Sequence, residues 1–172
     1  MLLKTGRAGC SWVSGARFLA IGTMAMAGLL MSACSGSPQC VPESDIQQVV
    51  CERQQGFRDI GKNLKIVDDE VKSGDPDYQK VAESAMRIVE TGKSIPHWFP
   101  EGSGPEVGIA TDAKAEIWSD PDKFSAAYQE FVAESERLVS SAATENFTAL
   151  QAQFHATGAA CSNCHKPFRV DK

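Results

Sequence analysis

Basic side chains are in short supply in this chain: 17 Lys and Arg stand against 22 Asp and Glu, a net charge of −5. A surface with that balance has little to offer a polyanion, which excludes nucleic acid as a partner and suits basic partner proteins instead. Strand patterns are missing too. No stretch alternates apolar and polar residues, no segment repeats and no composition shift marks a second domain, so β, α/β and solenoid classes are excluded. The longest apolar run, Phe18 to Met31, falls short of the roughly 20 residues that a membrane-spanning helix needs. Methionine is scarce as well, and beyond residue 33 only Met86 remains.

What the N-terminus does have is Lys4, Arg7 and Arg17 ahead of that apolar run, the layout of an export signal that is later removed. Leu30-Met31-Ser32-Ala33-Cys34 resembles a bacterial lipobox, at which a cysteine is lipid-modified and the chain is cut just before it. Ordinary cleavage near Ala33 is the alternative. The expected organisation is a signal over residues 1–33, a tether over 34–43 and one domain over 44–172. The expected location is the periplasmic face of a membrane, lipid-anchored through Cys34. Loss of three basic residues and no acidic ones would deepen the negative charge.

Six cysteines sort by position. Cys10 would leave with the signal and Cys34 would take lipid. Cys161-Ser162-Asn163-Cys164-His165 is a C-x-x-C-H run, the string that attaches a c-type haem. The two thiols add to the porphyrin vinyl groups as thioethers, and the adjacent His165 offers Nε2 to the iron. A thioredoxin-type redox pair would need a βαβ setting, and a structural zinc site would need a second ligand pair. Neither is present. Cys40 and Cys51 are left over, and an oxidising compartment would let them pair, adding about 3 kcal/mol for so short a loop. Free or intermolecular thiols are the other option.

Periodicity beyond residue 44 is helical nearly throughout. Ile46, Val50, Arg53, Phe57, Ile60, Leu64, Val67 and Val71 recur at spacings of four and three, one stripe of a long helix. Ser44-Asp45-Ile46-Gln47 reads as its capping box. Asp75-Pro76 predicts the start of a second helix through Val81, Ala85 and Ile88 towards Gly92. Pro96 to Gly104 is too rich in Pro and Gly for regular helix, so a long crossover is expected, extending to about Ala115. Asp120-Pro121 opens a third helix with Phe124, Tyr128, Phe131, Ser135, Leu138 and Ala142 on one face. Thr144 is the expected cap of a fourth, running Phe147, Leu150, Phe154, Gly158 and Cys161 into the haem motif. Pro167 predicts a bend or stop there. The fold class is therefore all-α, an antiparallel four-helix bundle with one long crossover between its second and third helices and haem near the last. Arg53 interrupts an apolar stripe, where an unpaired cation is costly. Haem propionates are its natural partners, and a path out to solvent is the alternative.

This layout, with Phe99-Pro100-Glu101-Gly102-Ser103-Gly104, the stretch from Asp112 to Asp120, and Cys161 to Arg169, resembles the cytochrome c′ family, the class II c-type cytochromes. The resemblance implies one covalent haem c with His165 on the iron. It also implies that an Arg-Gln pair on the first helix, Arg53-Gln54 here, lies beside the haem carboxylates and is followed by the distal residue, Phe57. Asp112 would then lie near the haem edge and Arg169 beside the proximal imidazole. Members with a distal Met are low-spin electron carriers; members with an apolar residue keep five-coordinate, high-spin iron. Phe57 has no lone pair to donate. The expected function is capture of small diatomic gases, nitric oxide and carbon monoxide, with a membrane-anchored electron-transfer cytochrome as the alternative. Neither is an enzyme. Redox partner proteins and a homodimer are further expectations. Met86, His97 and His155 are expected away from the iron, as packing or surface residues, and Trp98 and Trp118 as packing residues.

Overall fold

The computed structural model describes residues 40–170. The signal, the lipobox and Cys34 lie outside the described residues. Five α-helices are present among them: α1 Asp45–Ser73, α2 Tyr78–Gly92, a single turn α3 Glu116–Ser119, α4 Pro121–Ala142 and α5 Phe147–Phe168. The four long ones form an all-α bundle, with α4 as its third member. Two 3₁₀ turns, Ile95–Trp98 and Pro105–Val107, punctuate the long crossover between α2 and α4.

α1 starts where its sequence says it should. The Ser44 hydroxyl accepts from the Gln47 N–H, while the Gln47 side chain accepts from the Glu43 N–H at 2.7 Å, one residue earlier than a regular capping box. Gly74 ends the helix with φ of 76°, and its N–H is given to the Val71 carbonyl. Two other starts fall later than the sequence predicted. α2 is capped by Asp77 and not Asp75, because the Asp77 carboxylate accepts from the Lys80 N–H while its own N–H is taken by Glu70 of α1. α5 is capped by Asn146 and not Thr144, whose hydroxyl instead donates to the Ser141 carbonyl and closes α4. Asp120 and Pro121 open α4 as expected.

Helix α1 packs on α2, α2 on α4 and α4 on α5, while α1 and α5 stand apart around a cavity. The two ends of the bundle differ in composition. One is aliphatic and closes on itself, through Val67, Val71, Val81, Ala85, Leu138, Ala142 and Leu150. The other is aromatic, with Trp98, Phe124, Phe131 and Phe168 buried beside Ile60, Ile88 and Ile117. Each fully buried Val or Leu contributes about 1.5–3 kcal/mol, so the aliphatic end holds the helices together while the aromatic end is left free to line a cavity. On α5 the buried line runs Leu150, Thr157, Ala160 and Phe168, and Gly158 faces solvent. α5 continues one residue past Pro167 before Arg169 turns to extended backbone. There the Lys114 N–H donates to the Phe168 carbonyl at 3.0 Å and the Val170 N–H to the Asp112 carbonyl at 2.8 Å, so the crossover and the end of α5 are stitched together. Cys40 and Cys51 are joined as a disulfide, with Cα atoms 5.4 Å apart, strapping residue 40 to the second turn of α1.

Candidate functional site

Helical spacing brings the C-x-x-C-H residues together, because positions i, i+3 and i+4 share a face. Cys161, Cys164 and His165 are all half-buried and line one cavity of about 660 Å³ between α5 and α1. Burial pushes the Cys161 thiol up and takes Cys164 up to about 11, with Cys161 beside it adding to the rise. Both therefore stay protonated at neutral pH, unlike the low-pKa thiolate of a reactive redox pair. Among the described residues no three His, Cys, Asp or Glu side chains converge so as to hold a bare metal ion. His165 is pushed below the ordinary histidine range, first by burial and then by the charge of Arg169, so its imidazole is neutral and has a lone pair to give.

The opposite wall is built by α1 and the crossover. Arg53 is 3% exposed, which rules out the path to solvent. Its guanidinium donates to the Trp98 carbonyl at 3.3 Å, to the Ser103 carbonyl at 3.0 Å and to the Thr111 hydroxyl at 2.8 Å, with a longer contact of 3.5 Å to the Ser103 hydroxyl. It also stands over the Phe99 ring, 4.7 Å from the centroid, a cation–π contact. Burial lowers its pKa to about 10, which leaves it cationic at neutral pH. Gln54 donates to the Ala110 carbonyl at 2.8 Å. Phe57, 38% exposed, sits at the mouth and meets Trp98 edge-on at 5.4 Å and Phe99 at 6.3 Å.

Arg53, Gln54, Phe57 and Asp112 line the same cavity as the three motif residues, and Arg169 completes its rim. The sequence did not reveal a site role for Gly56, Phe99, Ser103 or Thr111, although Phe99 and Ser103 lie in a stretch that carries the family resemblance. Gly56 had a signal, since a glycine within a helical stripe marks a close approach: a Cβ there would lie 2.1 Å from the Trp98 indole. Met86 is exposed and off the cavity lining, in a shallow groove with Val89 and Val139, while His97 and His155 are on the surface.

Two protonated thiols and a neutral imidazole on one wall, a largely apolar and aromatic lining and a cation at the edge fit a flat porphyrin with carboxylate arms. A family model described as Cytochrome C′ matches residues 48–169. The chain belongs to the cytochrome c′ family. Its cofactor is accordingly one covalently attached haem c. Cytochromes c′ are standard four-helix bundles, as this chain is. A cytochrome c′ of Rubrivivax gelatinosus is 32% identical over 117 residues, 68% of this chain and 90% of that protein. The crystal structure of cytochrome c′ from the same organism superposes with a TM-score of 0.64 at 29% identity, covering 70% of this chain and 94% of that one. A nitric oxide complex of a mutant cytochrome c′ from Alcaligenes xylosoxidans shares the fold, with a TM-score of 0.67 at 23% identity over 76% of this chain and all of that one.

Proposed function

We propose that the haem iron takes His165 as its single protein ligand, stays five-coordinate and high-spin, and binds nitric oxide and carbon monoxide on the Phe57 side. When bound, the haem supplies an iron that accepts a diatomic gas at its open position. The chain supplies the rest. Cys161 and Cys164 fix the porphyrin covalently, His165 presents a neutral imidazole, and Arg169 next to it disfavours a second positive charge there. Arg53 and Gln54 stand on the wall where the haem carboxylates would lie. Phe57 excludes water and offers no hydrogen bond, so oxygen, which gains most from a donor, should bind poorly.

The observation that carries this reading is Phe57 at the cavity, where an apolar ring without a lone pair occupies the α1 wall, while Met86, His97 and His155 lie off the lining. The nitric oxide complex of the Alcaligenes protein supports gas binding within this fold. An absorption spectrum of the purified reduced protein with and without carbon monoxide tests it. A high-spin spectrum that shifts with the gas is expected; a low-spin spectrum indifferent to the gas would overturn it in favour of an electron carrier. We further propose that the chain is exported and held at the periplasmic face of a membrane by lipid on Cys34.

A further inference from the structure

We propose that Arg53 is the positioning residue of a distal gate: by clamping Trp98 and Phe99 it fixes the aromatic wall against which Phe57 moves, and so sets the rate of gas entry. The inference rests on the reading of Phe57 as the distal residue. Three observations carry it. The two terminal nitrogens of the guanidinium donate to the crossover, to the carbonyls of Trp98 and Ser103 and to the Thr111 hydroxyl, and these acceptors are all neutral. Its charge is spread over the Phe99 ring at 4.7 Å. Trp98 and Phe99 are the two rings that touch Phe57, at 5.4 and 6.3 Å.

The geometry gives Phe57 one fixed side, the one that meets Trp98 and Phe99, two rings that cannot recede. Trp98 is buried and lies hard against the backbone of Gly56, so its indole has no room to slide along α1. Phe99 is backed by Phe124 at 4.9 Å, edge to face. The residues that flank these two rings come from a crossover with little regular structure of its own, so side-chain bonds from α1, together with the Trp118 indole on the Phe99 and Pro100 carbonyls, hold that segment in place. Arg53 makes the buried share of them. A diatomic gas passing Phe57 needs the ring to swing, and a pinned inner wall leaves it fewer ways to do so. Loosening the wall should therefore speed entry.

The test is a double-mutant cycle read by carbon monoxide association to the reduced holoprotein, using Arg53→Met and Phe57→Ala. With Phe57 present, Arg53→Met should accelerate association roughly threefold or more, and the effect should vanish once Phe57 is Ala, because residues in one contact network are coupled in this way. Arg53→Lys, which keeps the charge and loses the planar fork, should behave like Met. Should Arg53→Met fail to hold haem, Phe99→Leu removes the stacked ring instead and should show the same dependence on Phe57. Equal effects of Arg53→Met, or of Phe99→Leu in its place, in both Phe57 backgrounds would overturn the proposal, as would full rescue by Lys. A parent protein that ignores carbon monoxide would instead sink the five-coordinate reading, so the two failures are told apart.

Discussion

At the scale of single residues, the cavity depends on one absent side chain. Gly56 brings the Trp98 indole so close to α1 that an added methyl would overlap it at 2.1 Å, and a rigid indole backed by the bundle cannot give way cheaply. Alanine improves helix propensity by about 1 kcal/mol over glycine, whereas overpacking costs about 1–3 kcal/mol, so the packing loss should win. Gly56→Ala should lower the denaturation midpoint of the holoprotein and change the near-ultraviolet circular dichroism of Trp98. A variant more stable than its parent would show that Trp98 packs elsewhere. The motif residues were fully legible in the sequence, since covalent attachment demands two thiols and an imidazole at fixed spacing. Arg53 was legible as a problem, a cation in an apolar stripe. Its protein partners were not, because Ser103 and Thr111 lie 50 and 58 residues away.

Among the elements, the helices were predictable and their joints were not. The α1 stripe from Val50 to Val71 reads directly as helix, yet α2 and α5 begin two residues later than their first plausible caps. Asp75 and Asp77 are equally good caps in isolation; Glu70, reaching from α1 to the Asp77 N–H and to Lys80, decides between them. That choice is tertiary and leaves no local trace. The crossover is the extreme case, held by Gln47 on the Val107 carbonyl, Gln54 on Ala110 and Arg53 on Ser103. All three donors sit within eight residues of α1, the same stretch that carries Cys51 and its disulfide to Cys40. Replacing both cysteines by serine should cost about 3 kcal/mol by releasing a short loop in the unfolded chain. Chemical denaturation of the holoprotein measures this, and an unchanged midpoint would mean that the strap adds no stability.

For the whole molecule, the disulfide also bears on where the bundle sits. Only five residues separate Cys34 from Cys40, about 20 Å at full extension, and Cys40 is fixed to α1. If Cys34 carries lipid, the haem protein rides close against the bilayer, where apolar gases concentrate. The protein should then stay with membranes in high salt, since more than one acyl chain anchors stably. Mass spectrometry of the N-terminus checks this, and an unmodified residue there would end the idea. Around the cavity, the placing of the indoles has an optical consequence. Trp98 touches Phe57, and Trp118 donates its indole N–H to the Phe99 and Pro100 carbonyls, while Trp12 belongs to the segment that export would remove. Both remaining indoles thus pack behind rings that line the porphyrin site, Trp98 behind Phe57 and Trp118 behind Phe99, and energy absorbed by either should pass to the nearby dye instead of being emitted. The loaded protein should be dark where the empty one glows, so that the fold would carry its own gauge of how much of it has been filled.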